Sequence, residues 1–297
     1  MRQSAKETIV ARRRVFYIPG YDPIHPRRYR ELYRKEGAAQ AQITGYEISL
    51  TPKPKSDTYG WQATAVIDQK SVTADIDVLI LSDIVRDSMS TTILGTYWQL
   101  LRTAWIYITT GTLRRLMWMR KGPVIAALYP IGMLLLQLSL AYGAGAVVVG
   151  ACKALLIPLI GLAGHIIALA AGVGCFVWLM RWFKAKDGTF FAYYLMHDYG
   201  FSAQWWGANP PALETRMAEF STQIAAAFTG DVDEVLVVGH SSGAHLAVSI
   251  LADLLRAGTI PAAGPKLAFL SLGQVVPMMS FLPEAKRLRA DLAYLST

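Results

Sequence analysis

Two kinds of hydrophobic pattern divide the chain. Short apolar runs, typical of strands, occur at 14–18, 46–50, 61–67, 77–81, 235–238 and 267–272. Apolar residues at helical spacing occur at 26–42, 84–89, 212–228, 244–256 and 284–295, and 190–196 fits either a strand or a short helix. Because strands that alternate with helices form mostly parallel sheets, the pattern predicts an α/β domain.

Two long uncharged stretches interrupt this alternation. No Asp, Glu, Lys or Arg occurs from Pro123 to Cys152 or from Ala154 to Met180. Each stretch exceeds the roughly 20 residues that cross a bilayer core. The sequence therefore predicts two transmembrane helices, at about 123–150 and 155–180, that form a hairpin with its tip near Cys152.

The segment before the hairpin, at about 91–119, carries Trp and Tyr at helical spacing. This aromatic load beside a membrane span predicts a helix that lies at the membrane interface. A buried helix of the globular domain is the alternative. We therefore divide the chain into an N-terminal half-domain (1–90), a membrane insertion (91–185) and a C-terminal half-domain (186–297).

Composition and charge agree with a membrane protein. The chain is 53% hydrophobic and only 17% charged, with a net charge of +8. Lys and Arg cluster on both flanks of the hairpin, and Lys153 alone lies near its tip. The positive-inside rule places the flanks and the globular part in the cytoplasm, with the hairpin in the inner or plasma membrane. No nucleic-acid-binding motif accompanies the charge, so we expect no nucleic-acid partner.

The hairpin carries a few residues of distinct chemistry. Cys152 and Cys175 lie at different depths, which leaves no disulfide framework and is typical of a reducing compartment. In a hairpin with its tip near Cys152, Gln137 and His165 share one depth, so we expect a hydrogen bond between them. Small residues beside both predict close helix contact.

The strongest chemical signal is Gly239-His240-Ser241-Ser242-Gly243, a G-x-S-x-G motif. It follows an apolar strand and precedes a helix, and this context is typical of a nucleophile elbow. Gly239 and Gly243 permit the sharp turn that exposes the Ser241 hydroxyl. A Ser-rich turn that caps a helix is the alternative interpretation.

A second loop has matching features. The strand Val15–Ile18 runs into Pro19-Gly20-Tyr21-Asp22. With the elbow, this loop makes residues 14–89 and 190–290 resemble the α/β-hydrolase family of serine esterases and lipases. The resemblance implies a parallel sheet of that type, Ser241 as the nucleophile and an oxyanion hole made by the backbone N–H groups of Ser242 and Tyr21.

The resemblance also implies a pocket beside the nucleophile, for which Gly20, His25 and His240 are candidates. A serine hydrolase of this kind uses neither a metal nor a cofactor, and we expect none. In the family, an acid and then a histidine follow the serine along the chain. The remaining question is whether this chain supplies them.

The acid and the base are missing from the expected positions. His245 is the only histidine after Ser241, and it falls within the elbow helix, where we expect a core or surface role. Asp253 and Asp291 also fall in predicted helices rather than in loops. His197, next to Asp198, is a second candidate base, but it precedes the serine, and a structural hydrogen bond is the favoured role.

These observations lead to two hypotheses. The first is a membrane-anchored serine hydrolase that acts on an ester or thioester, lipid-derived substrates included. In this hypothesis the present chain is a fragment whose sheet lacks the strands that carry acid and base. The second is a catalytically degenerate hydrolase fold that serves as a membrane scaffold or interaction protein.

Overall fold

The computed structural model describes residues 10–22, 25–53, 58–89 and 92–297. The chain forms two compact units, one made of Met1–Ser88 with Trp205–Thr297 and the other of Met89–Gln204. The second unit contains the predicted membrane insertion and extends beyond residue 185 to Gln204.

The elements follow one another along the chain in this order. The strands are β1 (Arg12–Ile18), β2 (Glu47–Pro52), β3 (Gly60–Ile67), β4 (Lys70–Val78), β5 (Glu234–His240) and β6 (Lys266–Leu272). The helices are α1 (Arg27–Thr44), α2 (Ser82–Ser88), α3 (Ile93–Thr109), α4 (Thr112–Met119), α5 (Lys121–Ala127), α6 (Tyr129–Ile160), α7 (Leu162–Ala185), α8 (Asp187–Phe190), α9 (Ala192–Ala203), α10 (Pro211–Ala227), α11 (Gly243–Arg256), α12 (Val276–Ser280) and α13 (Lys286–Leu295).

The first unit is an α/β fold around a mixed sheet of order β2-β3-β4-β1-β5-β6. Strands β4, β1, β5 and β6 are parallel, whereas β3 is antiparallel to both β2 and β4. Asp68 and Gln69, between β3 and β4, have φ values of 50° and 66°. Two positive φ values in a two-residue loop are typical of a type I′ hairpin, which makes its strands antiparallel.

The boundaries of β4 differ from the sequence prediction. The strand begins at Lys70 and ends at Val78, whereas the apolar pattern predicted a strand over 77–81. The first half of β4 is polar and partly exposed, so hydrophobicity does not mark it. Phe190 ends α8 and residues 192–196 lie in α9, so this segment is helical on both sides of Phe191, which has a φ of 53°.

The core of the first unit lies around the parallel strands. Val15, Ile76, Val78 and Val238 form one buried cluster with Trp61. Helix α11 has a long buried face that includes Leu246, Ile250, Leu251 and Leu254, and it contacts β5, β1, α10 and α13. The segment after Ser241 is therefore fixed by packing along most of its length.

Strand β6 forms one edge of the sheet within the described residues. Its apolar side chains are exposed, with Phe269 at 41%, Leu270 at 44% and Leu272 at 41%. Since successive strand residues point to opposite faces, Phe269 and Leu270 leave both faces of this edge uncovered. A parallel strand of this composition is usually buried on both faces.

In the second unit, α6 and α7 form an antiparallel hairpin that turns at Gly161, where φ is 54°. The predicted tip near Cys152 is wrong, because α6 continues through Lys153 to Ile160. A single lysine does not end a helix, since its long side chain can extend to a polar region. Both helices are long and apolar enough to cross a membrane, and only 6% and 17% of their most apolar windows are buried.

Because the hairpin turns at Gly161 rather than near Cys152, the residues of α6 and α7 that lie side by side differ from those that the sequence predicted. Gly145 and Gly172 face each other, since a Cβ built on Gly145 would lie 2.9 Å from the Gly172 carbonyl oxygen. This register puts Gln137 and His165 at different depths, so the predicted hydrogen bond between them is wrong. Gln137 is buried without a hydrogen-bond partner in the described part of the chain, and His165 is exposed.

Helix α3 in the same unit has two unlike faces. One face packs through Leu100 on Leu134 and Met196, from α6 and α9. The other face exposes large apolar side chains at heptad-like spacing, namely Leu94, Trp98, Leu101, Trp105 and Ile108. Trp118 of α4 is also exposed.

The glycine contact predicts how the hairpin responds to substitution. A Cβ on Gly172 would lie 2.2 Å from Val149 Cγ2 and 2.8 Å from the Gly145 carbonyl oxygen, whereas a Cβ on Gly174 meets nothing within 4 Å. We expect Gly172→Leu to destabilise the hairpin by about 1–3 kcal/mol through overpacking, and Gly174→Leu to have little effect. Thermal unfolding of the detergent-solubilised chain, followed by circular dichroism, measures both. Equal melting temperatures for the two variants would contradict the packing.

Candidate active site

Ser241 lies in a strained turn between β5 and α11. Its φ is 55°, in the left-handed region that non-glycine residues rarely occupy. Such outliers often occur at functional sites, where the surrounding structure holds them in place. The strand, sharp turn and helix that the motif predicted are all present.

The two motif glycines are required by close backbone contacts. A Cβ on Gly239 would lie 2.6 Å from Ala244 Cα, and a Cβ on Gly243 would lie 2.2 Å from the Ile18 carbonyl oxygen. Real Cβ atoms do not approach backbone atoms so closely. Glycine at 239 lets the helix fold back on the strand, and glycine at 243 lets the helix begin against β1.

The loop after β1 lies directly beside the elbow. Ile18 pairs with Gly239 in the parallel β1–β5 ladder, so the two loops leave the sheet side by side. A Cβ on Gly20 would lie 2.7 Å from Ser242 Oγ and 3.2 Å from Ser241 Cβ. Gly20 therefore allows the loop to approach the nucleophile turn.

The two predicted oxyanion donors belong to these touching loops. The Tyr21 N–H donates a hydrogen bond to Ser242 Oγ at 2.7 Å, and both groups are buried. An incoming oxyanion would therefore have to replace the Ser242 hydroxyl as the acceptor of this bond. The Tyr21 N–H is a donor in the expected place, but it already has an acceptor.

The position in the sheet suits a binding crevice. From β1 the chain continues to β2, on the β4 side of the sheet, and from β5 it continues to β6 on the other side. In open α/β sheets, ligands bind outside the carboxyl ends of strands where the connections diverge in this way. Gly20, Tyr21 and Ser241 lie at that point.

No base is hydrogen-bonded to Ser241 in the described part of the chain. His240 is exposed and stacks on Tyr17, with ring centroids 6.2 Å apart. His25 is also exposed, and its Nδ1 lies 3.2 Å from the Arg27 N–H, which donates to it. Both residues follow closely on the two loops or lie within them in the sequence, and neither is hydrogen-bonded to the Ser241 hydroxyl among the described residues.

Two tyrosines near the loop after β1 form a cluster with Asp22. The Tyr29 hydroxyl donates to the Asp22 carboxylate, and the rings of Tyr29 and Tyr17 are 5.2 Å apart. Burial, with the nearby Asp22 charge, raises the pKa of Tyr17 to about 12. Tyr17 therefore stays protonated at neutral pH and is unsuited to act as the base.

His245 occupies the core role that the sequence predicted. It is buried in α11, and its Nε2 lies 3.0 Å from the Tyr21 hydroxyl. Burial lowers the pKa of His245 to about 3, so the ring is neutral at physiological pH. Asp253 and Asp291 lie in α11 and α13, where they form ion pairs with Arg256 and Arg287.

The second candidate base also has a structural partner. His197 in α9 is buried, and its Nδ1 lies 2.8 Å from Gln99 Oε1 on α3. Burial and the charge of Lys184 lower the pKa of His197. This bond is the structural role that the sequence analysis favoured.

Sequence reasoning missed the part that the Tyr21 side chain takes in the site. The loop pattern points only to the backbone N–H of Tyr21, but its hydroxyl also reaches His245, four residues after Ser241. No local pattern marks this contact, because the two residues lie more than 200 positions apart in the sequence. Comparison of the chain with protein families, with curated proteins and with solved structures gives no match.

The contact between the loops gives a testable stability effect. Ser242→Ala removes the acceptor of the Tyr21 N–H and leaves a buried donor unsatisfied, which we expect to cost about 1–3 kcal/mol. The matched control is Ser271→Ala, because Ser271 is exposed on β6. Thermal unfolding of both variants beside the parent chain tests the difference. Indistinguishable melting temperatures would mean that the bond does not hold the loops together.

Proposed function

We propose that the first unit is the nucleophile-bearing part of a serine hydrolase. The observation that carries the proposal is Ser241 at a left-handed turn between β5 and α11, with the Gly20–Tyr21 loop against it. A hydroxyl raised on such a turn is accessible to an acyl carbon. The Tyr21 N–H of this loop donates to Ser242, the residue directly after the proposed nucleophile.

The proposed chemistry is acyl transfer to Ser241. The Ser241 Oγ attacks the carbonyl carbon of an ester or thioester while its proton passes to a base. The carbonyl oxygen becomes an oxyanion, which the N–H groups of Ser242 and Tyr21 stabilise once the Ser242 hydroxyl has moved away. The alcohol or thiol leaves with a proton, and water then releases the acid from the acyl-enzyme.

We propose that the acid and the base come from outside the described residues. The support is the open edge at β6, where Phe269, Leu270 and Leu272 are exposed on a strand suited to the interior of a sheet. Further strands paired with β6 would cover these side chains. Their terminal loops would reach the same end of the sheet as Ser241, since parallel strands share their carboxyl edge.

We propose that the second unit anchors the protein in the inner or plasma membrane. The little-buried apolar surfaces of α6 and α7 support this, because a soluble core helix would be covered. The exposed Trp98, Trp105 and Trp118 suit the membrane–water interface. Lys and Arg on both flanks of the hairpin favour a cytoplasmic location for the rest of the chain.

Because the protein is anchored in the membrane under this proposal, lipid-derived esters and thioesters are one candidate class of substrate. Such molecules reach the enzyme from the bilayer. Soluble esters are equally compatible with the chemistry of the site.

A second function is favoured by one observation, namely that the Ser242 hydroxyl occupies the Tyr21 N–H while no base contacts Ser241 in the described part of the chain. In this case the fold is a degenerate hydrolase that acts as a membrane scaffold. The two functions differ in whether Ser241 becomes covalently modified.

A fluorophosphonate probe distinguishes them. We expect the 297-residue chain to label slowly, because a serine without its base loses several orders of magnitude in rate. Ser241→Ala should abolish this labelling, whereas Ser271→Ala should not change it. If the folded chain does not label at Ser241 at all, the scaffold function is supported.

The proposed membrane topology can be tested with single cysteines. In a Cys152→Ser/Cys175→Ser background, Gly161→Cys reports the hairpin turn and Lys186→Cys reports the end of α7. We expect an impermeant maleimide to label Gly161→Cys from outside intact cells, and Lys186→Cys only after permeabilisation. Labelling of both positions from the same side would exclude a spanning hairpin.

A further inference from the structure

A cavity of about 150 Å³ lies in the first unit, beside α11 and away from Ser241. Its lining comes from the residues before α10 and the first turn of α10, the first two turns of α11, α12, and the segment from Glu284 to the start of α13.

Two buried polar residues of α11 line this cavity. His245 Nδ1 is buried without a partner among the described residues, while Nε2 of the same ring is engaged by Tyr21. Ser249, one helical turn further along α11, is also buried and lines the cavity. Residues four apart on a helix share one face, so both groups border the same space.

An unsatisfied buried polar atom such as His245 Nδ1 is costly, and a molecule bound in the cavity would satisfy it and could also reach the Ser249 hydroxyl. The Tyr21 hydroxyl can donate to Nε2, which leaves a proton on Nδ1 that points away from Tyr21. Ser249 can donate and accept. A ligand hydroxyl, which also donates and accepts, matches both groups.

The charged residues of the lining do not call for a charged ligand. Glu214 is paired with Arg287 and accepts a hydrogen bond from Asn209, and Arg287 also pairs with Asp253. Glu284 is paired with Lys286 at 2.8 Å. Each charged side chain of the lining therefore has an oppositely charged partner, and the three acids outnumber the two bases, which disfavours an anion and suits a neutral ligand.

The rest of the lining is apolar and sets the size of the ligand. Met279 and Leu288 face the cavity together with the small residues Gly207 and Ala208. A cavity of about this volume accommodates benzene, so the space suits roughly five or six non-hydrogen atoms.

We propose that this cavity is a binding site for a small neutral alcohol or diol, whose hydroxyl bonds to His245 Nδ1 and Ser249 Oγ and whose alkyl part packs on Met279 and Leu288. The site is separate from the proposed nucleophile and does not depend on Ser241 being catalytic. Tyr21 lies between the two, because its hydroxyl contacts His245 and its N–H contacts Ser242.

The test uses the full 297-residue chain in detergent, with histidine rings labelled with ¹⁵N and 1,2-propanediol as the probe. The signal of His245 is the one that disappears in His245→Gln. We expect this signal to shift in a saturable way, with a dissociation constant of about millimolar for so small a ligand, while the signals of the other histidines stay in place.

Two variants and a control make the result specific. Ser249→Ala keeps the space but removes one partner, and should weaken binding by up to about tenfold. Ser249→Leu fills the space and should abolish the saturable shift. Ser221→Leu, on α10 and outside the lining, should bind as the parent does.

Three outcomes would overturn the proposal. They are no shift of the His245 signal, as expected if the cavity holds water only; a linear shift shared by all histidines; and unchanged binding in Ser249→Leu. Sodium acetate in place of the diol tests the charge argument, and tighter binding of acetate would contradict it. Because none of these readouts involves labelling of Ser241, the result is independent of the proposed hydrolase function.

Discussion

The contact of α11 with the end of β1 is the constraint on which the candidate site depends. The helix begins so close to β1 that Gly243 has no room for a Cβ beside the Ile18 carbonyl oxygen. To enter this helix directly from β5, the chain must turn within one residue, and that residue is Ser241 at φ 55°. The unfavourable backbone at Ser241 is stabilised by the burial of α11, whose apolar face could not pack if the turn relaxed.

The same kind of contact organises the second unit. Gly145 and Gly172 bring α6 and α7 together at backbone distance, as Gly20 and Gly243 bring two loops together in the first unit. In a bilayer, helices associate through close packing rather than through the hydrophobic effect, because lipid tails are as apolar as leucine side chains. Gln137 lies on the buried side of α6 without a partner among the described residues, so packing, rather than polar pairing, accounts for the observed contact.

Sequence patterns predicted those features that depend on local physics. The strand-turn-helix around Ser241 was predictable because glycine spacing and apolar runs report local conformation. The hairpin helices were predictable from their length, but their turn was not, because Lys153 interrupts the composition without interrupting the helix. Strand β4 was only partly predicted, since its polar half is held by pairing with β3 and β1 rather than by burial. The Tyr21–His245 and Tyr21–Ser242 bonds join distant parts of the chain, and no local signal reports them.

These bonds give Tyr21 a position that neither motif suggests. Its backbone fixes the Ser242 side chain, and its hydroxyl fixes one edge of a neutral, buried histidine. His245 cannot serve as the base for Ser241 while it is buried and bonded in this way, because its low pKa makes it a poor proton acceptor. His245 is therefore part of the framework that holds the loop after β1. If Ser241 is a nucleophile, its base has to approach from the exposed side of the turn. His240 and the open edge of the sheet at β6 lie on this side.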